Sequence, residues 1–221
     1  MEDDDKRIIE EPNRYTPAIK YKEKKKTYLW LQIICEGDQL DFDKKFFTKN
    51  SLEVDYSDRA PWMKIALQEY ETYKGLKEWD SVLSKKIKDY HNTTKYNKGD
   101  GHETAWCSSF VNFVIEKAGY KGMSSSRSLD WLNWGKVISN PIYGAIAVKT
   151  RFGGGHVGFV FTKKGKKGVV ILGGNQKDEL KKSIYINNNI FTYIIPSNYN
   201  PTKEDQLIES NKEYDENFKE D

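Results

Sequence analysis

The feature that most constrains the fold of this chain is a series of five short apolar runs between Ile142 and Ile195. Segments rich in glycine, asparagine or lysine separate the runs, and apolar runs bounded by such residues are typical of β-strands. Because the segment Lys163–Gly168 is short, the strands on either side of it are predicted to pair as an antiparallel hairpin. The predicted strands are Ile142–Thr150, Val157–Thr162, Val169–Leu172, Ser183–Ile186 and Phe191–Ile195.

Earlier in the chain, the apolar residues are spaced as in helices rather than grouped in short runs as in strands. Apolar residues recur at three- and four-residue steps from Pro61 to Tyr73 and from Leu76 to Tyr90, which predicts two helices. A third helix is predicted to begin with Thr104 as its N-cap and to stop at Gly119, and a short fourth helix is predicted at 129–134. Residues 59–196 are therefore predicted to form an α+β domain whose helices pack on an antiparallel sheet.

The regions on either side of this domain have a different composition. Residues 1–58 are predicted to form a small β-rich module of unknown role, in which Thr27–Cys35 is the strongest strand. In residues 197–221 acidic residues outnumber lysines and few residues are apolar, so this segment is predicted to be a mobile tail.

The charge balance excludes some classes of protein. With 36 Lys and Arg against 33 Asp and Glu, the net charge is only +3, and a dedicated nucleic-acid binder would carry a clear excess of basic residues. No run approaches the roughly 18 apolar residues that span a bilayer, and the start Met1–Lys6 is too acidic for a signal peptide. We therefore expect a chain that stays inside the cell or is exported without a classical signal peptide.

Cys107 is the better placed of the two cysteines. It falls in the first turn of the predicted third helix, where a thiol ionises more easily than a free one. Cys35 falls in a predicted strand, so two free thiols are expected rather than a disulfide. The sequence also allows the simpler interpretation that Cys107 is a small buried apolar residue.

The hairpin brings two polar residues together. If Thr162 pairs with Val169, the same register places His156 opposite Asn175 at the open end, and glycines precede both residues. A helix whose N-terminus lies at that end would add Cys107 as nucleophile, with His156 as base and Asn175 orienting the imidazole. Taken singly, His156 could be a histidine at a strand end and Asn175 a turn residue.

Five segments also resemble a known family: Pro61–Lys64, Thr104–Asn112, Trp131–Gly135, Gly155–Phe159 and Leu172–Gln176. In these segments the chain resembles the CHAP-like and NlpC-like cysteine peptidases of bacteria and phages, over about Pro61 to Pro196. The resemblance implies a papain-like fold and hydrolysis of amide bonds in the peptide part of peptidoglycan. It also implies Cys107 as nucleophile, His156 as base and Asn175 as the third polar residue, with Gln176 as the alternative, since many CHAP enzymes have a Glu and NlpC-type enzymes often a His in that role.

The remaining expectations concern binding and context. Trp106, Trp131 and Gln176 are candidates for substrate binding, although core packing is the default for tryptophan. His91 and His102 are expected to be exposed loop residues, and neither a metal nor a cofactor is expected.

The leading hypothesis is a peptidoglycan-cleaving cysteine amidohydrolase, either an endopeptidase or an N-acetylmuramoyl-L-alanine amidase. It would reach the cell wall or periplasm as a phage lysin or as a delivered antibacterial toxin, with an immunity protein or a secretion-apparatus component as partner and no nucleic acid. The alternatives are a non-catalytic wall-binding or interaction module and a cysteine acyltransferase.

Overall fold

The computed structural model describes residues 20–23, 26–29, 59–95, 104–151, 153–166, 168–187 and 190–216. The chain divides into two compact units, Met1–Glu53 and Val54–Asp221. In the first unit, strands β1 (Lys20–Glu23) and β2 (Lys26–Leu29) pair as an antiparallel hairpin. Strand β2 overlaps the start of the predicted strand Thr27–Cys35, and the predictions for 30–58 lie outside the described residues.

Three α-helices come before the main sheet, as the helical spacing predicts. They are α1 (Trp62–Tyr73), α2 (Ser81–His91) and α3 (Cys107–Lys117), and a 3₁₀ helix follows at Ser128–Asn133. Helix α2 begins later than predicted, because Asp80 Oδ2 accepts the N–H of Lys77 at 2.7 Å and holds residues 77–80 in a turn. Helix α3 stops where predicted, since Gly119 has a left-handed φ of 83°.

All five predicted strands are present in the second unit, and two further short strands join them. The strands are β3 (Lys136–Ile138), β4 (Ile146–Arg151), β5 (Gly154–Lys164), β6 (Gly168–Gly173), β7 (Lys181–Tyr185), β8 (Phe191–Ile195) and β9 (Asp215–Glu216). They form one seven-stranded sheet in the order β3-β8-β4-β5-β6-β7-β9. Strands β3 to β8 pair antiparallel, and β9 adds to β7 in parallel.

This sheet is strongly curled. Tyr185 of β7 and Phe191 of β8 meet edge to face with ring centroids 4.9 Å apart, although three strands lie between β7 and β8. The other face packs on α3, where the rings of Phe110 and Phe159 lie 6.1 Å apart. Successive side chains of a strand point to opposite faces. The side chain of His156, an odd number of positions before Phe159 in β5, is therefore directed to the concave face.

The β5–β6 hairpin contains a bulge that the sequence pattern did not reveal. The sequence predicts that Thr162 pairs with Val169, but near the tip Thr162 pairs with Val170. The register then shifts between Val160 and Thr162, so that Phe159 pairs with Leu172. The bulge thus restores the predicted register at the open end of the hairpin, where His156 lies.

The C-terminal segment packs on the domain, which corrects the prediction of a mobile tail. The hydroxyl of Tyr199 accepts the N–H of Ala60 and donates to the Asp205 carboxylate, at 2.9 Å in each case. Asp205 is completely buried, and Glu209 accepts the N–H of Gly165 at the hairpin tip. A few specific hydrogen bonds therefore anchor a segment whose composition suggests no packing.

Candidate active site

Cys107 is the first residue of α3. The N-cap is Trp106, whose carbonyl oxygen accepts the N–H of Phe110 at 2.9 Å, so the predicted cap Thr104 lies before the helix. Cys107 is not part of a disulfide and is only 5% exposed. The first N–H groups of a helix have no partner within the helix, and its dipole is positive there. The N–H groups at this position can therefore stabilise a negatively charged oxygen nearby.

Two buried tryptophans hold the start of α3 in place. Trp106 Nε1 donates to Glu78 Oε2 at 2.8 Å, and its ring stacks on Tyr90 with the centroids 6.0 Å apart. Trp131 Nε1 donates to Ser108 Oγ at 2.8 Å. Neither indole has exposed surface, so the expected contact of Trp106 and Trp131 with substrate gives way to a supporting role beneath the site.

His91 is also part of this support, contrary to the expectation of an exposed loop residue. It is the last residue of α2 and is 1% exposed. Its Nδ1 lies 2.8 Å from Ser109 Oγ, which ties the end of α2 to the first turn of α3. No local pattern predicts this pair, because the two residues meet only through the packing of two helices. His102 lies outside the described residues.

Two adjacent glycines connect the start of α3 with His156. A Cβ added to Gly174 would collide with the ring of Trp106 and lie 3.1 Å from Phe110 Cβ. A Cβ added to Gly173 would lie 3.3 Å from His156 Nε2 and 3.3 Å from Gln176 Nε2. Trp106 and Phe110 therefore lie on one side of the Gly173–Gly174 peptide unit and the imidazole on the other, so α3 and His156 occupy opposite faces of the sheet. The N-terminal end of α3 thus lies at the open end of the hairpin, and the predicted approach of Cys107 to His156 stays a prediction.

The surroundings of His156 keep its imidazole uncharged at neutral pH. His156 is 2% exposed and pairs with Lys149 on β4. Burial lowers the pKa of His156 to about 3, the positive charges of Arg151 and Lys149 add to this shift, and the side chain of Gln176 opposes it. Among the described residues Nε2 has no hydrogen-bond partner. With so low a pKa the imidazole is uncharged at pH 7 but only a weak base, whereas a general base works best with a pKa near the operating pH.

Gln176 is the polar side chain that the structure places against His156. It has no exposed surface, and its Nε2 donates to the carbonyl oxygens of Ile171, Gly173 and Lys181 at 3.2, 3.3 and 2.6 Å. Its Oε1 accepts the hydroxyl of Tyr185 at 3.2 Å. Since these bonds use both amide protons, Gln176 anchors the loop and can take part in a further hydrogen bond only as an acceptor, through Oε1.

Asn175 lies between Gly174 and Gln176 in the same loop. It is half-buried and has a left-handed φ of 56°, so it falls just beyond the end of β6 and is not a strand partner of His156. Its position between the two contacts described above keeps it a candidate for the third polar residue. That role stays a prediction.

No protein-family model, curated protein sequence or solved structure matches the chain. None of the helices in the described part of the chain is long and apolar enough to cross a membrane. Within the same residues, no three or more His, Cys, Asp or Glu side chains are grouped so as to hold a metal ion.

Proposed function

We propose that the second unit is a papain-like cysteine amidohydrolase that cleaves an amide bond in the peptide part of peptidoglycan. The observation that carries the proposal is the glycine pair Gly173–Gly174, which lies against the His156 imidazole on one side and against Trp106 and Phe110, near the start of α3, on the other. The resemblance in five sequence segments supplies the substrate class. The coarse α+β architecture is compatible with the papain-like fold.

In the proposed mechanism His156 removes the proton of the Cys107 thiol. Because His156 projects from the face of β5 opposite the one that packs on α3, this transfer requires the imidazole to turn toward the N-terminal end of α3 when substrate binds. The thiolate attacks the carbonyl carbon of the amide, and the N–H groups at the start of α3 stabilise the resulting oxyanion. His156 then protonates the leaving amine, and water hydrolyses the thioester to regenerate the thiol.

Asn175 is the proposed orienting residue, with Gln176 as the alternative. Gln176 already bonds three carbonyl groups and a hydroxyl, so replacing it would disturb the fold as well as the imidazole. Asn175 is the less constrained of the two and can change its side-chain direction when substrate binds. An asparagine carbonyl that accepts the second imidazole N–H would fix the tautomer of His156.

Such an enzyme would serve either as a phage lysin or as an antibacterial toxin delivered to the wall. In the second setting an immunity protein that covers the site would protect the producing cell.

One observation favours a non-catalytic module instead. Both Cys107 and His156 are buried, whereas the substrate of an enzyme must reach the thiol.

The direct test is incubation of the protein with purified bacterial sacculi, followed by mass spectrometry of the released fragments. Cys107→Ala should release nothing, whereas Cys35→Ala, which removes the other thiol, should act like the wild type. Free stem peptides without muramic acid would identify an amidase, and shortened peptides an endopeptidase. Intact sacculi with the wild type, or equal release by Cys107→Ala, would refute the proposed function.

A further inference from the structure

The loop between β6 and β7 contains unusual backbone conformations beside the proposed site. Asn175, Lys177 and Asp178 have φ values of 56°, 54° and 64°. Residues other than glycine seldom adopt this region, and they persist in it only where their surroundings hold them. Gln176 is anchored by its own side chain, so Lys177 and Asp178 need support from elsewhere.

That support comes from residues 77–80, the connection between α1 and α2. The N–H of Glu78 donates to the carbonyl oxygen of Asp178 at 2.8 Å. Lys77 Nζ donates to the carbonyl oxygen of Lys177 at 2.9 Å and forms an ion pair with Glu179 at 2.9 Å. These bonds from the connection therefore hold the backbone of Lys177 and Asp178, the two left-handed residues that follow Gln176.

Glu78 reaches in a second direction as well. Its Oε2 accepts Trp106 Nε1 at 2.8 Å, and Trp106 directly precedes Cys107. Through its backbone Glu78 holds the loop that carries Asn175, and through its carboxylate it holds the cap of the helix that carries the thiol. It contacts neither the sulfur nor the imidazole in any of these bonds.

We propose that Glu78 is a positioning residue that holds the start of α3 in register with the β6–β7 loop, and so holds Cys107 relative to Asn175 and His156. Its effect on turnover rests on the proposed function. Its effect on the Cys107 thiol needs no substrate, because a displaced helix start changes both the exposure of the thiol and the N–H groups around it.

Three variants test this role. Glu78→Ala removes the acceptor, and Glu78→Gln keeps an amide oxygen at the same place. Glu71→Ala is the matched control, since it removes an exposed carboxylate of α1 that pairs with Lys74. For each variant the rate of Cys107 alkylation by iodoacetamide is measured by peptide mass spectrometry from about pH 5 to pH 9, alongside kcat and KM for fragment release from sacculi.

Glu78→Ala should slow alkylation at neutral pH and lower kcat, each on the order of tenfold, and should displace the pH midpoint of alkylation while leaving KM within about twofold of wild type. Glu78→Gln and Glu71→Ala should stay close to wild type. Trp106→Phe removes the same hydrogen bond from the other side, so adding Glu78→Ala to it should have little further effect.

The positioning role is wrong if Glu78→Ala reacts and turns over like the wild type, or if Glu78→Gln loses as much as Glu78→Ala. If Glu78→Ala does not fold, Trp106→Phe carries the same expectation. If the wild type releases nothing from sacculi but Glu78→Ala still slows alkylation, the proposed function fails and the positioning role stands.

Discussion

The burial of His156 predicts a specific dependence of stability on pH. The pKa of His156 is lowered to about 3 in the folded chain, chiefly by burial, whereas an exposed histidine in the unfolded chain has a pKa of about 6.5. Between these two values the unfolded chain binds a proton at this position and the folded chain does not. Lowering the pH through this window therefore stabilises the unfolded chain, and the free energy of unfolding falls.

The size of this effect follows from proton linkage. One proton taken up only on unfolding changes the free energy of unfolding by about 1.4 kcal/mol per pH unit well below the unfolded pKa. From pH 7.5 to pH 4.5 the accumulated loss is about 3 kcal/mol. This contribution is fully present above about pH 6.5 and is progressively lost as the pH falls toward 3.

The measurement compares wild type with His156→Gln by urea denaturation at several pH values in this range. Tryptophan fluorescence reports the transition, because Trp62, Trp106 and Trp131 are completely buried. Contributions of all other groups are common to both proteins, so the difference between the two unfolding free energies isolates His156. Wild type should lose about 3 kcal/mol relative to the variant between pH 7.5 and pH 4.5.

Equal slopes for the two proteins would refute the reasoning, since they would mean that His156 takes up its proton alike in both states. A slope of opposite sign would be equally informative. An imidazolium held by a Cys107 thiolate would have a raised pKa, and its contribution to stability would be lost as the pH rises. The experiment therefore also distinguishes a neutral thiol and imidazole from an ion pair in the resting protein.

Four further substitutions test the packing of the second unit. Gln176→Ala should lower the free energy of unfolding by about 3 kcal/mol in chemical denaturation, because three carbonyl groups and a hydroxyl lose their partner. Asn175→Ala, a change in its half-buried neighbour, should lower the free energy of unfolding by less than about 1 kcal/mol and abolish release from sacculi. If Asn175→Ala destabilises the fold more than Gln176→Ala does, the structural and orienting roles of the two residues are exchanged. Gly174→Ala should cost about 1–3 kcal/mol and slow Cys107 alkylation, because the added methyl meets the Trp106 ring; an unchanged thermal midpoint would contradict that contact. Tyr199→Phe should cost about 1–3 kcal/mol, since a buried N–H and a buried carboxylate lose the hydroxyl that joins them, and an unaltered denaturation curve would show that the C-terminal segment is not anchored there.

The local pattern of the chain was enough to find the long elements. Strand β8 has the predicted bounds Phe191–Ile195, and the strands before it differ by a few residues. Strands β3 and β9 were missed because each is very short and lies at an edge of the sheet, where pairing with a single neighbour leaves little periodic signal. The packing of the C-terminal segment depends on two hydrogen bonds to distant residues: the Tyr199 hydroxyl accepts the N–H of Ala60, and the carbonyl oxygen of Asp205 accepts the N–H of Tyr143.

The placement of the candidate residues on their elements could be predicted from the sequence, whereas their surroundings could not. The positions of Cys107 at a helix start and of His156 near a strand end follow from the sequence pattern. The cap at Trp106, the burial of His91 and the full coordination of Gln176 depend on contacts between separate elements. Sequence reasoning also missed Glu78, because nothing in the local pattern of residues 77–80 points to the indole that it binds.

The bulge in β5 divides the hairpin into two parts with independent register. A strand shifted by one residue would turn every side chain to the opposite face, and His156 would then leave the concave side. The extra residue between Val160 and Thr162 confines the one-residue shift in register to the tip of the hairpin. Pairing with β4 fixes the register of the part of β5 that carries His156. A peptide tag inserted between Gly165 and Lys166 should therefore leave the imidazole where it is, which makes the hairpin tip the place to attach a probe without disturbing the chemistry.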